Sequence, residues 1–228
     1  VFSRYMSDTL VQRVLSDRDI LQRRERRDAL VIFADLRGFT RMTVQHNPDD
    51  VISVLNDFFD AMMQIVYEQE GVVFDITGDE LMVGFNVPFN QPDAPYRALS
   101  TAIAMQQHFA HLQLLWANRG IQVGMGIGMN RGPVVLGHIG GRSRMNYAMV
   151  GQSVNVAHRL VEMAKDGEIV MPPDVLADAL PAPDWLAGIE GLSAATLPPQ
   201  PIRGVTTPLP VTRLKLSRTM AFSTSLEE

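Results

Sequence analysis

The order of periodicities along this chain narrows its fold more than any single residue does. A short branched run, Ala29 to Ala34 (ALVIFA), ends in Asp35 and has the pattern of a buried strand whose last residue emerges at an edge. Pro48, Asp49 and Asp50 then supply acidic helix-start signals, and Val51, Ile52, Leu55, Phe58, Phe59, Met62, Met63 and Val66 repeat at helical spacing, the pattern of a core-facing stripe. Two short runs, Gly71 to Phe74 and Leu81 to Phe85, flank Ile76-Thr77-Gly78-Asp79 and read as a hairpin with an acidic tip. A second helix is predicted from about Tyr96 to Ala117, with Leu99, Ile103, Phe109, Leu112 and Trp116 inward and Gly120 just past its end.

Beyond it, Ile121 to Met129 and Gly132 to Leu136 read as strands about a turn at Asn130-Arg131-Gly132, and Gly140 to Arg144 (GGRSR) as a flexible basic loop. Asn155 to Lys165 has helical spacing, and Glu168 to Met171, Pro201 to Gly204 and Val211 to Leu214 are expected later strands. Strand, helix, hairpin, helix, hairpin, helix, strand predicts an α/β (α+β) protein: a ferredoxin-like core, with helices on one side of a mainly antiparallel sheet.

With 228 residues, 46% hydrophobic and 20% charged, the chain suits one domain with a real core and excludes disordered, collagenous and coiled-coil classes. A net charge of -5 and the lack of a basic-aromatic strand motif argue against a nucleic-acid partner. Without cysteine there is no disulfide framework, thiolate metal site or Cys nucleophile, so any metal sits on oxygen or imidazole. No window reaches the ~18 apolar residues of a membrane span. Residues 1–28, helical from Tyr5 to Leu21 and then charged from Arg23 to Asp28, read as a linker. Residues 29–214 form the expected globular domain and 215–228 a disordered tail, its last three residues vector-derived. The start at Val1 suggests a piece of something longer.

Two aspartates stand out because each follows or flanks a strand without a neighbouring base to make it a surface pair: Asp35 in FADLRGFT and Asp79 in TGDELM. Carboxylates brought together on adjacent strands repel unless a divalent cation lies between them, and Mg²⁺ prefers carboxylate oxygen plus substrate phosphate. On spacing alone, two unrelated turn aspartates explain the pattern equally well. Gly38, Phe39 and Thr40 lead into a helix whose free N–H groups suit phosphate oxygens. Asn155 and Arg159, four apart, share one helical face. The five histidines show no metal-ligand spacing, and His158 is expected to face away from Arg159.

The segments VIFADLRGFT, TGDELMVGF, GMGIGMNRGPVVLGHIG and YAMVGQSVNVAHRL, in that order, resemble the successive signatures of class III nucleotide cyclases, the adenylate and guanylate cyclase catalytic domain. The resemblance covers about Ala29 to Leu214. It implies Asp35 and Asp79 as ligands of two Mg²⁺ or Mn²⁺ ions, Asn155 and Arg159 as the groups that stabilise the transition state, and Arg203 as a terminal-phosphate contact. It also implies a nucleoside triphosphate substrate, a head-to-tail homodimer with sites between protomers, and a cytoplasmic output domain driven by an upstream sensor region, in a full-length protein that is soluble or membrane-attached. At the two base-reading positions the chain has Asp75 and Ala148, which fit neither the adenylate nor the guanylate pattern, and Gln152 stands where Asp or Asn is common. The base is therefore open between ATP and GTP. A pyrimidine nucleotide cyclase and a catalytically silent nucleotide-binding regulatory module are the alternatives.

Overall fold

The computed structural model describes residues 11, 15–16, 24–141, 144–182 and 184–217. Its central strand, β1 (Glu25–Arg37), begins inside the charge run expected to be linker and continues through the ALVIFA run. Both faces of β1 are covered. Leu30, Ile32, Ala34 and Leu36 enter one core cluster, while Ala29, Val31 and Phe33 enter a second on the other face, as period-two alternation requires.

Two helices cover the first face. After a short helix α1 (Phe39–Gln45), α2 (Pro48–Glu68) starts with Pro at its first turn and buries Val54, Phe58, Met62 and Val66. The stripe is rotated from the sequence expectation: Val54 is central and Ile52 is 56% exposed. The hairpin β2 (Val72–Thr77) and β3 (Glu80–Phe85) closes on a two-residue turn, Gly78-Asp79, with Gly78 at φ 62. Helix α3 (Ala94–Ala117) buries all five expected positions.

β4 (Gly124–Gly141) is a single strand where two were expected, and it pairs with β1 from Gly124↔Arg37 to Leu136↔Glu25. No turn forms at Asn130-Arg131-Gly132 because the β1 ladder runs straight through it, and the Asn130 amide donates to the Ser153 carbonyl at 3.0 Å. The distal end of β4 forms a hairpin with β5 (Arg144–Val150), a strand the periodicity does not announce. Residues 142 and 143 of the expected loop lie outside the described residues. These elements put the first four strands in the order β2-β3-β1-β4, the arrangement of a ferredoxin-like core.

The third helix, α4 (Gln152–Met163), lies on the opposite sheet face, so helices cover both sides rather than one. β6 (Glu168–Met171) runs parallel to β4, and β8 (Leu209–Leu216) and β7 (Leu192–Gln200) extend that edge antiparallel. A helix α5 (Pro173–Ala179) and a 3-10 turn, Trp185–Gly188, intervene. Pro201 to Gly204 is a turn between β7 and β8 rather than a strand: two of its residues lie in a hydrogen-bonded turn closed by Val205 N–H on the Ile202 carbonyl. β8 reaches two residues into the expected tail. Most of the expected 1–28 helix and residues 218–228 fall outside the described residues. Among the described residues no helix is long and apolar enough to cross a membrane.

The approach of α4 to β4 depends on Gly128, where an added Cβ would meet Val161 N at 2.1 Å and the Ala157 carbonyl oxygen at 2.5 Å. Both neighbours are backbone, so the helix itself must move. Gly128→Ala should lower stability by about 2–3 kcal/mol in urea unfolding. Gly188→Ala, where a Cβ meets nothing within 4 Å, should change it by less than ~0.5 kcal/mol.

Candidate active site

The sheet brings the two singled-out aspartates together. Asp35 lies near the end of β1, directly opposite Glu80 in the β1–β3 register, and Asp79 occupies the turn that precedes Glu80. Asp79 is within hydrogen-bonding reach of Asp35; burial and the Asp35 charge push its pKa up to about 6. Burial followed by the Asp35 and Asp79 charges pushes Glu80 up to about 7. Three carboxyl groups thus crowd one corner, and Glu80 is a member that spacing did not identify. Its signal was available: in a two-residue hairpin whose turn holds Asp79, the next residue falls opposite the neighbouring strand.

Contrary to expectation, Asp35 has a basic partner. Arg37, two residues along the same strand face, places its Nη1 on Asp35 Oδ2. The strand's period of two contains that contact. His158 also joins the corner: its Nε2 lies 3.3 Å from Glu80 Oε2, and its ring meets Phe33 edge-on at 5.3 Å. It turns towards the carboxylates, yet its Nδ1 also lies 3.8 Å from Glu162 Oε1, the oxygen that Arg159 holds.

Asn155 and Arg159 share the solvent-facing stripe of α4, opposite its buried Val156, Ala157, Leu160 and Val161. Asn155 is exposed, and Arg159 pairs with Glu162 one turn on. Arg159 is joined to the carboxylate corner through Glu162 and His158. Gly38 adopts a left-handed conformation at the start of α1, φ 83, and no side chain caps that helix. Phe39 packs on the main core and Thr40 is exposed. Arg203 is exposed in the β7–β8 turn. Gln152 ties that turn to α4, its Nε2 donating to the Gly204 carbonyl at 3.2 Å.

Asp75 and Ala148 sit on β2 and β5, one residue beyond Phe74 and Tyr147, whose stacked rings join the two strands with centroids 6.0 Å apart. The Asp75 carboxylate is already engaged. It accepts from Ile76 N–H at 3.0 Å and from the Thr77 hydroxyl at 3.1 Å.

Among the described residues, no group of three or more His, Cys, Asp and Glu side chains forms a metal cage. The Asp35–Asp79 pair nevertheless fits hard divalent cations: two mutually repelling carboxylates offer oxygen donors and leave most of a coordination shell to water and phosphate.

Residues 21–180 match the family described as the adenylate and guanylate cyclase catalytic domain. An uncharacterized protein of Mycobacterium tuberculosis is 32% identical over 155 residues, 68% of this chain and 27% of that protein. The chain thus spans about a quarter of that relative's length. The adenylyl cyclase CyaB from P. aeruginosa superposes with a TM-score of 0.76 at 26% identity, covering 86% of this chain and 97% of that one. The guanylyl cyclase Cya2 does so at 0.72 and 29% identity, covering 86% and 96%.

The carboxylate corner makes metal-free stability depend on pH. Both folded-state pKa values lie above the ordinary 3.8 and 4.5, so the folded chain holds protons that the unfolded chain releases. Their contribution is fully present below those ordinary values and is lost as pH rises through about 6 and 7. In chelator, the thermal midpoint should fall across this window, Glu80→Gln should flatten the fall, and Mn²⁺ should oppose it. An unaltered slope in Glu80→Gln would remove Glu80 as its source.

Proposed function

Because the chain belongs to the adenylate and guanylate cyclase catalytic domain family, we propose that it converts a nucleoside triphosphate to the 3′,5′-cyclic nucleotide and pyrophosphate. The observation that carries this reading is the contact between Asp35 and Asp79 at the corner of β1 and the β2–β3 turn. Those two residues would hold two Mg²⁺ or Mn²⁺ ions. Bound there, the ions supply neutralisation of the triphosphate and a lowered pKa for the ribose 3′ hydroxyl.

The remaining work falls to this chain's side chains. Arg159 meets the charge that develops on the α-phosphate as the 3′ oxygen attacks and pyrophosphate leaves, and Asn155 orients the ribose. Arg203, steadied through Gln152 and Gly204, contacts the terminal phosphates, and the uncapped N–H groups after Gly38 donate to another phosphate oxygen. The chain acts as a domain of a longer signalling protein, in the cytoplasm where the triphosphates are, under a sensor region placed before it.

The active site is shared in a head-to-tail homodimer. In this reading substrate is held by the carboxylates of one copy and by Asn155 and Arg159 of another. Asp35→Ala and Arg159→Ala should each be inactive with an unchanged circular dichroism spectrum, and mixing them should restore part of the activity through heterodimers with one intact site. No recovery after demonstrated subunit exchange would overturn the shared site.

The base is chosen between ATP and GTP. A carboxylate at Asp75 suits guanine, which offers two adjacent N–H donors, over adenine, whose ring nitrogen is an acceptor. However, the engagement of Asp75 by Ile76 and Thr77 makes a base donor compete with two local bonds. Offering the four triphosphates separately with Mn²⁺, and weighing the cyclic products by mass spectrometry, decides the substrate. If Asp75 reads guanine, Asp75→Ala should cut GTP selectivity by roughly 5-fold, the lower end expected for a hydrogen bond from a side chain that is exposed in the free chain. If that variant leaves selectivity unchanged, Asp75 serves its own turn only.

A further inference from the structure

Arg37 is the most heavily engaged charged side chain at the carboxylate corner, and the reaction described above does not use it. Its guanidinium makes three separate contacts: Nη1 on Asp35 Oδ2, Nη2 donating to the Val161 carbonyl, and Nε donating to the Ala164 carbonyl at 2.8 Å. The last two are carbonyls at the C-terminal end of α4, where a cation is favoured; the Val161 carbonyl also accepts from the Ala164 N–H that closes the helix. The side chain reaches them by crossing β4 at Gly126, the residue that faces Asp35 in the β1–β4 register. A Cβ at Gly126 would meet Arg37 Nη2 at 2.8 Å, Arg37 Nε at 2.9 Å and the Ala164 carbonyl oxygen at 2.7 Å. The missing side chain at 126 is therefore what makes the passage for the guanidinium.

A rigid planar fork held from behind by two carbonyls presents its remaining edge to a single carboxylate oxygen. That oxygen belongs to one of two groups expected to receive divalent cations, and a fixed positive charge beside it opposes their entry. We propose that Arg37 is the built-in counter-cation of the Asp35, Asp79 and Glu80 cluster: it holds Asp35 in the metal-free protein and competes with divalent metal for the same carboxylate. The inference rests on the reading of Asp35 and Asp79 as metal ligands. Arg37 is thus a positioning residue, tying the metal strand to the helix that carries Asn155 and Arg159.

The test compares wild type with Arg37→Gln, Arg37→Lys and Asp35→Asn, titrating Mn²⁺ and following both thermal unfolding and the electron paramagnetic resonance signal of free Mn²⁺. Arg37→Gln should melt lower than wild type in chelator, yet bind Mn²⁺ about fivefold to tenfold more tightly, because a nearby opposing charge has gone. Arg37→Lys keeps the charge and should bind with near wild-type affinity. A purely structural role predicts the opposite sign, so equal or weaker Mn²⁺ binding by folded Arg37→Gln overturns the proposal. Should that variant fail to fold, Arg37→Met removes the same charge while keeping an unbranched stem; equal or weaker Mn²⁺ binding there overturns the proposal too. Asp35→Asn separates the two readings. If wild type and Asp35→Asn bind Mn²⁺ alike, the metal assignment falls and takes this inference with it. If they differ, the metal assignment stands and the Arg37 variants alone decide.

Discussion

The structure depends on β1 being buried on both faces. Its even positions, Leu30, Ile32, Ala34 and Leu36, pack into the larger core, and its odd positions, Ala29, Val31 and Phe33, pack with Ala157 and Val161 of α4. A slip of one residue would exchange the two sets, so the register is set from both sides. The odd series continues past the apolar core as Asp35 and Arg37. The same alternation that buries Phe33 under α4 therefore delivers a carboxylate and a guanidinium to the end of that helix. His158 and Arg37 reach the corner from opposite elements for this one reason: both sit at the seam where β1 stops being apolar and α4 is still alongside.

That seam is electrostatically uphill. Asp35 faces Glu80 across an antiparallel pair, an arrangement that destabilises when both are charged, and Asp79 adds a third carboxyl from the turn. Raised pKa values at Asp79 and Glu80 are how the metal-free chain relieves the crowding, with Arg37 offsetting part of what remains. A purely structural turn would gain nothing from this concentration of like charge. Such local cost is the common signature of a site selected for what it binds.

The apolar pattern made the ferredoxin-like order legible, because strand and helix periodicities differ and β1, α2, the β2–β3 hairpin and α3 are long or sharply bounded. It misled at Asn130-Arg131-Gly132, where turn-type residues sit inside a strand because a long-range ladder with β1 outweighs local preference. It also missed β7, whose Leu192–Gln200 sequence is mostly small and exposed and carries no alternation, and which exists as an edge paired to β8. The Asp35 and Asp79 pair was visible through ordered motifs. Glu80 and Arg37 follow from register and period two once β1 and the hairpin are placed, whereas His158 follows only from the seating of α4 on the sheet.

Helix α4 carries residues of both proposed sets of groups. Consecutive helical residues project about 100° apart: His158 turns towards Glu80, Arg159 and Asn155 lie along the neighbouring stripe, and Glu162 is shared by His158 and Arg159. Reversing this would require rotating α4, which Gly128 forbids by seating the helix backbone against β4. The β7–β8 turn with Arg203 is fastened to the same helix through Gln152, and β2 and β5 are joined by the Phe74–Tyr147 stack. Groups proposed to meet phosphate and ribose are thus carried by one helix and the turn fastened to it. The proposed sharing of a triphosphate between two copies asks each copy to present its carboxylates to one site and this helix to the other.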